Sequence, residues 1–494
     1  MKNKLTTVSA IISVLILICS CGAQDLSDIN QDVNPVQTTN TSDDEVVTTS
    51  DPLAFLPEDY NLGGEKITIL YGQNVMHDVG VENEVTYGIG DFEQGDIIAD
   101  AVYRRTKIAE ERLGCEIVSP MVDWDDGTNK AMKENALSGD SAYNAVIARV
   151  YTLGNMIKSG YLADLRSISS LNLDNSWWDR NVNTGCNIMG RQYIATGDIN
   201  YYDDYSITCM AFNKNRFDDR GIVYPYDLVR DGKWTFDEFY KTINDTAADL
   251  DGNGIFDEND FYGYVANAGF LSSTLIDFGE GLVIEDGNGN VILNRSESIV
   301  TKAQTVADKL LSNDSFLVEE RKLGYDKGDK ILPSGQALMS GILIGSVTSF
   351  RQNMDDDFGV LPNPKWNEEQ DGYKVTISQH WSSCVAVPSN ADTDKAGYIL
   401  ETLGALSYDT VTSAVVEQTV KTKSSRDEES VDMLDIIFES KTVDMALIFD
   451  DWGIYNLWMG MTKDTDPKIV STLEKSEKST NNKIAKFIEA VNGL

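Results

Sequence analysis

Twelve residues, Asp249 to Asp260, carry the sharpest chemical pattern in the chain. Asp249, Asp251 and Asn253 put oxygen-bearing side chains at positions one, three and five, Gly254 stands at position six, and an acid, Asp260, falls at position twelve. Calcium is a hard cation that takes about six to eight oxygens, and alternate side chains of a tight loop can deliver them. On this spacing Asp249, Asp251 and Asn253 supply side-chain oxygens and Ile255 its carbonyl. Asp257 acts directly or through water, and Asp260 closes the sphere. Glu is usual at position twelve, so the shorter Asp260 predicts weaker binding, with calcium in a structural role. An acidic surface turn without metal has the same composition, and the spacing leaves both readings open.

Groups for covalent chemistry are scarcer. The only histidines, His77 and His380, lie about 300 positions apart, and no nucleophile elbow, zinc-helix or phosphate-loop pattern occurs. Asp203 and Asp204 are the natural pair for glycoside hydrolysis, because adjacent side chains of an extended segment point different ways. The same pair can equally bind ligand hydroxyls or sit as solvated charge. No organic cofactor and no catalysis are expected. The alternative is a calcium-dependent cell-surface glycoside hydrolase or lyase.

The chain that must position these groups has 494 residues, 41 Lys+Arg against 79 Asp+Glu, and a formal net charge of −38. That length makes two to four structural units, and 41% hydrophobic residues suffice for real cores. The charge argues against nucleic-acid binding, which needs Lys and Arg to neutralise phosphates, and against electrostatic adhesion to anionic lipid.

Lys2 and Lys4 precede an apolar run from Val8 to Ile18 that is too short to span a membrane. The following Ile18-Cys19-Ser20-Cys21 resembles a bacterial lipobox. The resemblance implies a signal peptide over 1–20, a diacylglycerol anchor on Cys21 and an extracytoplasmic, membrane-anchored protein. The polar stretch after it reads as a disordered tether, taken with the lipidated cysteine as 21–58. The scattered Cys115, Cys186, Cys209 and Cys384 make no disulfide framework; buried thiols are expected, with a Cys186–Cys209 bridge left open.

Beyond the tether, Lys66 to Tyr71 reads as a strand, Asp96 to Leu113 as a helix stopped by Gly114, Glu116 to Val118 as a second strand and Ala145 to Ala148 as a third. Strands alternating with helices predict a mostly parallel α/β sheet.

This order, with Glu110 to Gly114, Ser138 to Ala148 and Ser159 to Leu165, resembles the extracellular solute-binding proteins (family 1) of bacterial carbohydrate ABC importers. Tyr193 to Lys214, Asp227 to Lys241, Ala337 to Arg351, Phe358 to Trp366 and Ile377 to Leu403 extend the likeness over about residues 62–490. The resemblance implies a two-lobed periplasmic-binding-protein-like α/β fold with crossing strands as hinge and the ligand cleft between lobes. Lobe one is expected at 59–206 plus 388–426, and lobe two at 207–387 plus 427–494.

It implies a monomer that closes on a small solute, a mono- or oligosaccharide, and delivers it to permease subunits. Tyr201, Tyr202 and Asp203 lie on the implied first crossing and Trp381 on the return. Tyr151 follows a cleft-facing strand, and Trp452 lies in the last part of lobe two. These are the expected ligand contacts, since aromatic faces stack on sugar rings; core packing is the plainer use of each. At Gly341-Ile342-Leu343 maltose-type members carry a stacking tryptophan, and this chain does not.

Overall fold

The computed structural model describes residues 51–73, 83–87, 96–324, 330–421 and 428–494, of which 51–494 form one compact unit. The signal peptide, Cys21, most of the tether and His77 lie outside the described residues.

The first sheet is built on Glu65–Gly72, whose Ile67, Ile69 and Leu70 are fully buried. Cys115–Val118, Met121–Val122 and Ala145–Arg149 pair with it in parallel, and Ser383–Ala386 adds an antiparallel edge against Ala145–Arg149. Asp96 caps the helix Ile97–Leu113 by accepting from the amides of Ile98 and Ala99, and Gly114, at φ 63°, ends it in the left-handed conformation that glycine adopts freely. Helices Thr393–Tyr408 and Val411–Lys421 pack on this one.

The second sheet has the order Phe358–Leu361, Thr208–Asn213, Ala337–Leu343, Tyr262–Ala266, Phe316–Val318. Thr208–Asn213 is antiparallel to both its neighbours, and the other four strands run the same way. The chain passes between the sheets twice, and the two passages lie side by side. Ala195 bridges Val385 on the first-sheet side, and Ile207 bridges Ile377 on the second-sheet side. The return therefore enters the first sheet at Ser383 rather than at the expected 388. Its strand reaches back to pair with Ala145–Arg149, a contact that local sequence cannot signal. The last helix, Ile469–Asn492, packs on both Val291–Leu293 and Ile157–Ser159.

Trp177 and Trp178 both donate their indole N–H to Glu401 of the helix Thr393–Tyr408, at 2.7 and 3.2 Å. All four described cysteines are free, with Cys186, Cys209 and Cys384 buried, so no Cys186–Cys209 bridge forms. Among the described residues no helix is long and apolar enough to cross a membrane.

Candidate functional site

Four strands of the second sheet point their carboxyl ends at one place, which is where open α/β sheets collect ligands. A cavity of about 160 Å³ lies there. Its aromatic wall is Phe236, Phe239, Tyr264, Phe270, Phe278 and Trp381. The helix Phe270–Asp277 turns one face to it, Phe270, Ser273, Thr274 and Asp277, at spacings of three and four that share a side of a helix. Phe239 meets Tyr264 edge-on at 4.9 Å, so the wall is braced from behind.

Thr208, Asn267, Glu319, Ser346 and Asn363 bring polar groups to the same cavity. Asn363 donates to Asp277 Oδ2 at 2.9 Å and to Thr208 Oγ1 at 3.1 Å. The amide and hydroxyl of Thr376 both donate to Asp277 Oδ1, at 3.0 and 2.8 Å. Burial raises the Asp277 carboxyl to about 7 in spite of these donors.

Asn267, on the cavity lining, accepts from Gly269 N, and Gly269 lies against Tyr455. From Tyr455 a row of rings leads to the first sheet: His380 at 5.2 Å, then Tyr151 a further 5.1 Å on. Beside them Arg149 stacks its guanidinium 4.7 Å from the half-exposed Trp124 ring and pairs with Asp125. Burial, with Arg149 nearby, depresses the His380 imidazole to about 4, so this ring is neutral at ordinary pH. This row of rings joins the second sheet's cavity side to the first sheet through the return passage.

Of the residues expected to contact ligand, Trp381 lines the cavity, while Tyr151 is not on its lining and packs on His380. The others are placed differently. Tyr201 and Tyr202 are 1% and 0% exposed, stacked on each other at 5.0 Å in a core cluster with Tyr205, Ile98, Val102 and Val415. Trp452 is 1% exposed and packs on Phe449 and Phe487. Asp203 and Asp204 belong to a short helix, Tyr201–Tyr205, and close with Asp179 around Lys441 at 3.4, 2.7 and 2.9 Å. Burial works against the Lys441 charge, but the three carboxylates outweigh it and hold the proton on. Burial, only partly offset by Lys441, raises the Asp203 carboxyl. Tyr201 and Tyr202 lie on the first passage, and their rings pack into the core rather than onto the cavity.

Sequence reasoning passed over Phe270, Asp277, Asn363, Trp124, Arg149 and Tyr455. Only the 270–277 face carries a signal, its helical spacing; the rest are brought together by the sheet edges. Gly341, Ile342 and Leu343 do line the cavity, and they leave it a smooth aliphatic floor where a tryptophan is lacking.

The 249–260 loop is a separate feature. One carboxylate oxygen from each of Asp249, Asp251 and Asp260 lies within 4.8 Å of the others. Gly252 and Gly254, at φ 71° and 77°, let the chain fold back so that both donate their amides to Asp249. Asn253 Oδ1 accepts from Ile255 N, Asp257 Oδ1 from Asn259 N, and fully buried Asp260 from Leu250 N and Asp257 N. Three convergent carboxylates fit a hard cation such as calcium.

No family model and no curated sequence matches the chain. Solved structures do. The chain is similar to the ABC substrate-binding protein Lmo0181 from Listeria monocytogenes, solved with cycloalternan, at 14% identity and a TM-score of 0.55, covering 85% of this chain and 99% of that one. It is similar to a cyclo/maltodextrin-binding protein complexed with maltotetraose, at 13% identity and a TM-score of 0.52, over 86% and 97% of the two chains. The GacH receptor of Streptomyces glaucescens, solved unliganded and with acarbose, gives 13%, 0.52, 86% and 99%. At these identities the likeness is one of fold, and the chain has the two-lobed α/β fold of ABC-transporter solute-binding proteins.

Proposed function

We propose that this protein is the solute-binding subunit of a carbohydrate ABC importer, capturing a mono- or oligosaccharide and handing it to permease subunits without covalent chemistry. The observation that carries the reading is the aromatic-walled, polar-edged cavity at the carboxyl ends of the second sheet, with Trp381 of the return passage on its lining. Flat apolar rings beside amide, hydroxyl and carboxylate groups are what a pyranose offers partners for: C–H faces and hydroxyls. The bound carbohydrates of the structures that share the fold point the same way. The hydrolase alternative loses its carboxylate pair, because Asp203 and Asp204 are buried against Lys441.

In this reading Cys21 carries the lipid anchor on the outer side of the cytoplasmic membrane, and the 249–260 loop holds calcium as a staple. Loss of membrane association on Cys21→Ala tests the anchor.

The test of function is calorimetric titration of the protein with a panel of mono- and oligosaccharides, followed by analysis of the recovered sugar. One or more sugars should bind and return unchanged. Trp381→Ala should weaken binding roughly tenfold or more, while the melting temperature moves little. A cleaved sugar, or binding indifferent to Trp381, would refute the proposal.

A further inference from the structure

The cavity has a charge character that a neutral-sugar site does not require. Its lining includes two carboxylates, Asp277 and Glu319, and among the described residues no lysine, arginine or histidine. Asp277 is 2% exposed and Glu319 9%. The three donors on Asp277 are all uncharged: two from Thr376 on Oδ1 and one from Asn363 on Oδ2. A carboxylate oxygen accepts about two hydrogen bonds, so Oδ2 keeps capacity for one more. Lys374, which favours the charged form of Asp277, is exposed and does not line the cavity. The rest of the wall is the set of aromatic faces, which attract cations through their quadrupoles.

Compare the other buried acids of the molecule. Asp203 and Asp204 have Lys441, and Glu84 has Arg105 beside it, while Glu401 and Asp260 are met by uncharged donors and line no part of this cavity. Asp277 alone among these combines burial, only uncharged hydrogen-bond donors among the described residues, and a place on this cavity's wall.

Resting on the carbohydrate-binding reading above, we propose that the cavity is specific for an amino sugar: it binds a ring bearing a protonated amine in preference to the corresponding neutral sugar, and rejects acidic sugars, with Asp277 as the amine's counter-ion. An ammonium replaces a neutral hydrogen bond to Asp277 by a charge-assisted one and gains the aromatic faces. A uronate would set a second carboxylate against Asp277, whose hydrogen-bond donors are all uncharged.

The experiment titrates the full chain with three matched series: glucose, glucosamine and glucuronate, and the galactose and mannose counterparts. For the ring that fits, the amine should bind about tenfold or more tighter than the neutral sugar, and the acid should give no heat. Equal binding of amine and neutral sugar, or measurable binding of the acid, overturns the proposal but leaves the carbohydrate reading standing. If no member binds while longer neutral saccharides do, the amino-sugar proposal likewise fails alone. If no saccharide of either kind binds, the functional reading itself has failed. Asp277→Asn should bring the amine-to-neutral ratio near one while retaining the neutral sugar; an unchanged ratio removes Asp277 from the role. Should that variant not fold, Glu319→Gln reads the same ratio from the other carboxylate. Its preference should fall, and a preference unmoved by loss of that charge counts against the proposal.

Discussion

Two sets of buried carboxylates, one around Asp203 and one at Asp277, show how similar groups come to opposite uses. Asp203 is 1% exposed and Asp277 is 2% exposed, and burial pushes both carboxyls upward. Asp203 shares Lys441 with Asp179 and Asp204, so the cluster is answered within the chain. Asp277 is held only by uncharged donors and faces a cavity. The two acids differ in the cation beside Asp203 and the cavity beside Asp277. Lys441, far away in sequence, makes Asp203 part of the framework.

The strongest way to break that contrast is Lys441→Met. It leaves buried Asp203 and Asp204, and partly buried Asp179, without their cation, and such losses cost about 3–5 kcal/mol. A large fall in denaturant midpoint is expected, and a fall no greater than that of a typical surface substitution would show that the cluster is not held by Lys441.

The contrast also sets a pH dependence. Glu84, Asp198 and Asp277 have carboxyls raised to about 7 in the folded state. Between about pH 4.5 and 7 the folded chain therefore binds more protons than the unfolded one, and stability falls as pH rises through that window, by up to about 1.4 kcal/mol per pH unit for each group. His380, depressed to about 4, opposes them as a single group between about 4 and 6.5. Melting temperature should be higher near pH 5.5 than near pH 7.5, and Asp277→Asn should flatten part of the slope. A maximum at pH 7.5 or above would contradict the placement of these acids.

A third acidic set, the 249–260 loop, sharpens the comparison from outside, because it is local and answered by neither lysine nor cavity. Calcium should raise the melting temperature by about 2 °C or more, EDTA should reverse it, and Asp260→Asn should abolish it. Indifference to calcium in the unaltered protein would mean that the loop is an acidic turn held by its own amides.

The smallest expected effect concerns the crossing aromatics. Tyr202→Phe keeps the stacked ring in the core and should leave sugar affinity within about twofold, since Tyr202 is fully buried. Tenfold weaker binding would return this residue to the site.

Much of this protein is determined locally. The alternation in Glu65–Gly72, the Asp96 cap and Gly114 stop around Ile97–Leu113, and the Asp249-to-Gly254 turn each depend on residues within a few positions of one another, which is why they are legible in sequence. The order of strands, helices and crossings follows from such elements, and Trp381 could be located because it lies on a crossing. The partnerships that assign function are not local. Lys441 meets Asp204 across 237 positions, Thr376 meets Asp277 across 99, and Asn363 meets Asp277 across 86. Only the closing of two sheets, paired along their crossings at Ala195–Val385 and Ile207–Ile377, brings those groups together. Residue type alone made Asp203 and Asp277 equivalent; the tertiary structure gave one a lysine and the other a cavity, because charge is neutralised by neighbours in space.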